Sequence, residues 1–348
     1  MFTQSTQRIG FACKYLDPDQ TQKKKVLEEI QRTRTEKCTT VAWLNRQTRD
    51  EAEQRLWDIM VHNTQSAYNL VEYVGGLPDG RKMVRLGSNQ LPMYTQADWR
   101  YFWTKPDVRE YCEKGFARVG ELARQLDVRL SFHPGQFCVL ASDNPDIVER
   151  SIDEFEYHAD MARWMGFGKQ FQDFKCNVHI SGKQGPEGVR QAYKKLSPEA
   201  RNTITIENEE NSHGLDTCLE LADLLPIVLD IHHHWCREGE YIDPSDERVK
   251  RVVDSWRGVR PTMHYSYSRN EHLPAEFDHN GLPDMQQLLE SGHKKQKLRA
   301  HSDFYPNQKV NTWALSFHDR FDIMCESKMK NLASFALHNQ YKYSYENV

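Results

Sequence analysis

No stretch of the sequence approaches the roughly 20 apolar residues that a membrane-spanning helix requires. Met1 to Arg8 lacks the apolar run of a secretory signal. The eight cysteines, at positions 13, 38, 112, 138, 176, 218, 236 and 325, include no Cys-x-x-Cys pair. Scattered thiols of this kind fit a reducing compartment and argue against zinc knuckles or a disulfide framework. Positive charge is not in excess either, because 46 Lys+Arg stand against 50 Asp+Glu, a formal net charge of −4. A general nucleic-acid binder shows the opposite balance, so any basic footprint must be local or completed by bound metal. Low-complexity tracts, long linkers, sequence-level repeats and nucleotide-cofactor motifs are absent. The expectation is a cytoplasmic enzyme, not membrane-bound.

What is present is a core-forming hydrophobic fraction of 38% in 348 residues, and a repeated pattern of short β-rich runs followed by amphipathic stretches. Strands are expected near Ile9–Cys13, Met83–Gly87, Arg129–His133, Asn177–Ser181, Thr203–Glu207, Ile227–Ile231, Pro261–Tyr265 and Ile323–Glu326. Between them, apolar residues recur every three or four positions, as in Val108, Tyr111, Cys112, Phe116, Val119, Leu122 and Leu126. Strand–helix alternation through eight units predicts a single α/β domain over residues 1–348, a (β/α)8 TIM barrel. Long loops follow strands 1 and 7, roughly Lys14–Asp50 and Ser266–Gln308, and loops of that length are usually functional.

Alternation within the strands says more, because successive side chains point to opposite faces. Leu130 and Phe132 oppose Ser131 and His133; Val178 and Ile180 oppose Asn177, His179 and Ser181. Ile204 and Ile206 oppose Glu207; Leu229 and Ile231 oppose Asp230; Met263 and Tyr265 oppose Thr262 and His264. Each apolar face suits packing on outer helices, and each inner face ends in a potential ligand near the strand's C-terminal end, where barrel active sites lie. His133, His179, Glu207, Asp230 and His264, with Glu326 ending the eighth strand, form an imidazole–carboxylate set suited to zinc, manganese or iron. So many ligands exceed the needs of one ion, and two or three ions sharing carboxylates fit phosphate-ester hydrolysis. Three carboxylates contribute about −3 and three divalent ions about +6, so the loaded site is cationic within an acidic chain.

The segments RIGFAC (8–13), VRLGSNQLP (84–92), SFHPGQF (131–137), ENEE (207–210), LDIHHHW (229–235), HSDFY (301–305) and MCESKMKNLA (324–333) resemble those of UV damage endonucleases, in the same order and over nearly the whole chain. The resemblance implies a fold and trinuclear site related to those of endonuclease IV, with manganese the foremost ion and magnesium, zinc or cobalt as alternatives. Its ligands fall on His133, His179, Glu207, Asp230, His233, His264, His301 and Glu326, of which Glu207, His264 and Glu326 are expected at the catalytic core. Alternation does not choose among His232, His233 and His234, and only the resemblance selects His233. Asp303 is open as a ligand, as an orienter of His301, or as neither. The family can carry a carboxylated lysine two residues before the seventh-strand histidine; here Thr262 stands there, so the site has one negative charge fewer.

The resemblance further implies a substrate of damaged double-stranded DNA, a monomeric enzyme, and association with the nucleoid after damage. Exposing a lesion costs a few kcal/mol, less where damage has already weakened stacking, and needs wedge residues. These correspond to Gln136 and Phe137, with Phe11 and Tyr15 as further lesion contacts; Phe137 stands where tyrosine is usual, and Tyr15 where asparagine is. The alternative for Phe137 is plain loop packing. Lys294, Lys295, Lys297 and Arg299 within HKKQKLRAH form a candidate phosphate-binding run, with a solvated charge cluster as the alternative. The implied reaction is metal-assisted hydrolysis of the phosphodiester 5′ to the photoproduct, leaving 3′-hydroxyl and 5′-phosphate ends. The rival enzymes are an abasic-site endonuclease of the endonuclease IV type and a xylose-isomerase-like sugar isomerase. A non-catalytic DNA-binding protein on a decayed barrel is a third reading.

Overall fold

The computed structural model describes residues 6–274 and 281–345; side chains are described as far as residue 341. Eight strands appear where periodicity placed them: β1 Ile9–Ala12, β2 Met83–Arg85, β3 Arg129–Phe132, β4 Lys175–His179, β5 Ile204–Glu207, β6 Ile227–Val228, β7 Thr262–Tyr265 and β8 Asp322–Cys325. They pair in parallel in the order β6-β5-β4-β3-β2-β1-β8-β7. The remaining seam closes through a parallel bridge between Asp230 and His264 and through the His264 N–H, which donates to the Leu229 carbonyl at 3.0 Å. Two candidate ligands therefore meet where the barrel shuts.

The apolar faces lie outward as alternation requires. Leu130, Phe132, Val178, Ile204, Ile206 and Met263 are all buried under the helical ring. Helices Arg49–Gly75 and Pro106–Gln125 cover neighbouring strands and meet through Trp57 and Tyr111, with ring centroids 5.5 Å apart. The first starts at a capping box, in which Thr48 and Glu51 satisfy each other's backbone N–H groups. At Gly10 the chain has no room for a side chain, since a Cβ would stand 2.5 Å from the Met83 carbonyl oxygen of the adjacent strand.

Every strand's bounds shift from expectation by one to three residues, and three of the shifts matter locally. β4 begins at Lys175 rather than Asn177, which adds a lysine to the inward face. Thr203 ends the helix Pro198–Thr203 instead of opening β5. β6 stops at Val228 because Asp230 caps a helix, Ile231–Glu238, by accepting the His233 N–H at 2.7 Å. The long segments after β1 and β7 contain short helices, among them Lys24–Arg32, Met285–Glu290 and Lys295–Leu298. Residues 275–280 of the second lie outside the described residues, as do 1–5 and 346–348 at the ends of the chain.

At the N-terminal end of the strands, the barrel floor is tied by Asp322. This fully buried carboxylate accepts from the Arg8 backbone N–H at 2.9 Å, Arg129 Nη1 at 2.6 Å and Arg260 Nε at 2.8 Å, joining β8 to β1, β3 and the entry to β7. Removing it would leave mostly buried guanidinium groups without their counter-charge, which costs about 3–5 kcal/mol. Asp322→Ala should lower the unfolding free energy by that amount, read as a lower urea midpoint at an unchanged denaturant slope. A loss under about 1 kcal/mol would show that other contacts hold the floor.

Candidate metal centre

Glu207, at the C-terminal end of β5, is fully buried and lies at the centre of the inward-facing ligands. His264 Nδ1 is 2.9 Å from its Oε1; His133 Nε2 and His179 Nε2 are 3.3 and 3.4 Å from its Oε2. His233 Nδ1 stands 3.6 Å from Glu207 Oε1 and 3.6 Å from Asp230 Oδ2. The amide of Asn177 donates to Glu207 and is itself fixed by Thr205, whose hydroxyl donates to Asn177 Oδ1 at 2.7 Å. Burial alone would raise the Glu207 carboxyl, but His264, His179 and His133 outweigh it and hold the group well below the usual carboxylate range.

Glu326 follows β8 and pairs with the partly buried Arg85 of β2, while His264 Nδ1 lies 3.4 Å away. Against the burial that would raise it, Arg85 and His264 keep Glu326 well below the ordinary range. Asp230 has the opposite environment. Burial, together with repulsion from Glu207 and Glu326, raises it well above the ordinary range despite the nearby His233.

Three overlapping groups have the donor chemistry and spacing to hold ions: His133–His264–Glu326, His133–His179–Glu207 and Glu207–Asp230–His233. Within each, the ligand atoms lie within 4.8 Å of one another, and His133 and Glu207 each belong to two groups. Asp230 Oδ2 and the neighbouring Glu210 Oε2 are buried with no hydrogen-bond partner. Orphaned acceptors in an imidazole–carboxylate cage are what a divalent cation would satisfy, so these residues fit the implied ions.

The structure brings seven of the eight expected ligands together. The eighth, His301, bridges to Ser268 and lies beside His232, with ring centroids 6.1 Å apart, in none of the three groups. The side chain of Asp303 is exposed; its backbone carbonyl accepts from the Met329 N–H at 3.1 Å. The three consecutive histidines separate by their place on the helix that Asp230 caps. His233 faces the cluster, His232 stacks on Trp235, and His234 bonds Glu240 Oε2 at 2.9 Å.

At the mouth, Gln136 and Phe137 are both exposed, Phe137 by 85%, on a turn closed by the Cys138 N–H donating to the Gly135 carbonyl. Phe11 and Tyr15 are not at that surface. Phe11 shares the outer face of β1 with Ile9, is 0% exposed and packs edge-on against Phe335. Strand alternation therefore turns it away from the barrel mouth, which corrects the expectation for this residue. Tyr15 is 3% exposed, packed against Tyr73 and Arg34, with its hydroxyl donating to Asp17 at 3.1 Å. It is held in the core and is likewise corrected.

The basic run divides. Lys294 and Lys297 are exposed and form no ion pair among the described residues. Lys295 instead donates to the Arg237 carbonyl at 2.6 Å, and Arg299 pairs with Glu210. Glu210 reaches back to His233 Nε2 at 3.5 Å. Sequence reasoning had assigned no role to Arg85, Asn177, Glu210 or Lys175. The phase of β4 marks the inward places of Asn177 and Lys175, while Arg85 and Glu210 lie inside quoted motifs that did not single them out.

Lys175 is buried, and its Nζ lies 2.8 Å from His264 Nε2. Burial, with Arg85 and Arg129 nearby, lowers the amine to about 7, and burial, with Lys175 beside it, lowers His264 to about 4. Thr262 points inward as expected, and its buried hydroxyl has no hydrogen-bond partner.

Comparison with known proteins bears on the family and the fold. A curated UV DNA damage endonuclease of Bacillus velezensis is 26% identical over 244 residues, covering 68% of this chain and 73% of the relative. One from Bacillus cereus is 23% identical over 313 residues, covering 86% and 87%. The crystal structure of SacUVDE superposes with a TM-score of 0.72 at 19% identity, covering 97% of this chain and 99% of that one. Endonuclease IV from Thermus thermophilus follows with 0.52 at 14% identity, covering 81% and 95%. Both structural matches speak for the barrel alone. The sequence profile described as UV-endonuclease UvdE matches residues 7–348, and the chain belongs to that family of DNA-repair endonucleases.

Proposed function

We propose that this enzyme nicks double-stranded DNA immediately 5′ to ultraviolet photoproducts, pyrimidine dimers and 6-4 products, leaving 3′-hydroxyl and 5′-phosphate ends. The observation that carries the reading is the juxtaposition of seven imidazole and carboxylate ligands in the barrel mouth with an exposed aromatic on the β3 loop. A sugar isomerase has no use for that exposed ring.

His133, His179, Glu207, Asp230, His233, His264 and Glu326 would hold three divalent ions, with manganese the first choice; His301 would join them as an eighth ligand. Such ions supply Lewis acidity for the phosphate oxygens and hydroxide near neutral pH. Glu207 contributes two oxygens to different imidazole partners and so suits a bridging role. Arg85 steadies Glu326 by pairing with it. Gln136 and Phe137 would enter the space opened beside the lesion, Phe137 supplying a stacking face. Lys294 and Lys297 are, among the described residues, the unpaired cations of the basic run and would meet phosphates. Lys295 and Arg299 would do so after releasing their present partners. The enzyme would act as a cytoplasmic monomer, one domain over 1–348, gathering on the nucleoid after irradiation.

The direct test is incubation with irradiated, abasic and intact duplexes in manganese, followed by end analysis of the nicks. Cleavage of the abasic duplex alone would replace this reading with the endonuclease IV activity. Glu207→Gln should lower incision by several orders of magnitude while binding to irradiated DNA weakens far less. Near-normal cleavage would remove Glu207 from the centre. Phe137→Ala should weaken binding to irradiated DNA by roughly 1–3 kcal/mol, the value of one aromatic–base stack; equal binding and cleavage would reduce Phe137 to loop packing. With Thr262 contributing no charge, one ion should leave well before the others as a chelator is titrated, and activity should depend little on bicarbonate. Simultaneous loss of all the ions at the tightest chelation would show that the missing charge is compensated.

A further inference from the structure

We propose that the floor of the barrel carries a second ligand site, separate from the metal centre, that takes a small organic phosphate. The pocket there measures about 520 Å³, within the roughly 300–1,000 Å³ typical of small-molecule sites. Its lining comes from the segments that lead into strands at their N-terminal ends. Arg8 precedes β1, Arg124, Asp127 and Arg129 stand at the entry to β3, residues 166–173 lead into β4, and Val259 and Arg260 lead into β7. The candidate metal ligands sit at the other ends of these parallel strands.

The charge of the pocket points to an anion. Arg8, Arg124, Arg129, Lys169 and Arg260 line it against Asp127 and Asp173. Asp322 adds a third carboxylate, shared between Arg129 and Arg260. Arg8 pairs with Asp127 at 2.8 Å. Asp173 holds its own loop together, accepting the backbone N–H groups of Gly168, Lys169 and Gln170. Arg124 and Lys169 are exposed and, among the described residues, form no ion pair. Five cations against three carboxylates leave two positive charges in excess, in a chain whose formal net charge is −4. A phosphate monoester carries about −1.5 to −2 at pH 7 and matches that excess, whereas a single carboxylate leaves half of it. Guanidinium forks also suit phosphate oxygens.

The wall is held in a costly shape. Asp127 and Gln172 both have φ of +54°, left-handed backbone that disfavours a side chain, and strain of this kind collects at ligand sites. Gln172 is fixed by its N–H, which donates to the Asn202 carbonyl at 2.7 Å, and by its amide, which donates to the Ile204 carbonyl at 2.9 Å. Its Oε1 and Arg8 Nε are buried in the wall without a hydrogen-bond partner, although protein interiors satisfy nearly all such atoms. Half-buried Phe171 adds an aromatic surface, and the Arg257 guanidinium carbon lies 4.5 Å from its ring centre. The organic part of the ligand would rest on that ring.

The test measures calorimetric binding of 5′-AMP, ribose 5-phosphate and succinate to the manganese-loaded protein. Succinate carries two negative charges without phosphate geometry. Wild type is compared with Glu207→Gln, which weakens binding at the mouth. At least one of the two phosphates should bind both proteins, and more tightly than succinate does. In the Glu207→Gln background, Lys169→Glu and Arg124→Gln should each lower that affinity about tenfold or more. Tighter binding of AMP than of ribose 5-phosphate supports the site with a base on Phe171; equal binding supports it with a sugar as the organic part. The proposal is overturned if neither phosphate binds at millimolar concentration, or if succinate binds as tightly. It is also overturned if Glu207→Gln alone abolishes binding, or if adding Lys169→Glu changes nothing. Should Arg124→Gln not fold, Lys169→Glu, altered at an exposed side chain, decides alone.

Discussion

Everything at the mouth of the barrel depends on one buried carboxylate. Glu207 has no access to solvent and draws its compensation from imidazoles on β3, β4 and β7, from His233 at the start of a helix, and from one amide. A charge so placed is tolerable only when its partners are fixed, since an unpaired buried carboxylate neutralises instead. The strands supply that fixity. Their parallel register sets His179 beside Glu207 and His264 beside Met324, two residues before Glu326, so the ligand spacing follows from the sheet. The centre is thus built on rigid elements, with loops needed only for the substrate-facing parts.

The two ends of the barrel deal with buried charge in opposite ways. At the floor, one carboxylate is shared by two arginine side chains and a backbone donor, so attraction is complete within the protein. At the mouth, Glu207, Glu326 and Asp230 converge, while Asp230 Oδ2 and Glu210 Oε2 lack hydrogen-bond partners. The floor carboxylate is satisfied and structural; the mouth is left short of cations. Asp230 shows the difference most clearly, because burial and its neighbouring carboxylates raise it well above the ordinary range. A divalent ion would reverse that preference.

Much of this was legible in the sequence because period-2 alternation and the end of a strand are local properties. All eight strands, and the inward faces of His133, His179, Glu207, Asp230 and His264, follow from them. The family resemblance added His233, which alternation could not choose because the chain leaves β6 for a helix at that point. Phe11 was misplaced despite its pattern being readable: it shares the phase of Ile9, and motif position was given more weight than strand phase. Tyr15 lies beyond the strand, and its burial depends on Tyr73 and Arg34, far away in the chain. Lys175 was missed for a simpler reason, since the expected strand began two residues too late to include it.

The basic loop shows how charge counting from sequence can mislead about available charge. Four cations lie within six residues, Lys294 to Arg299, but their surroundings divide them into two kinds. Lys294 and Lys297 face solvent and, among the described residues, form no ion pair. Arg299 is already bound to Glu210, which approaches His233 of the metal centre. Arg299, Glu210 and His233 thus form one chain of charged and polar contacts from the basic loop to the candidate metal centre, so the loop's charge is spent partly inside the protein rather than held out to solvent.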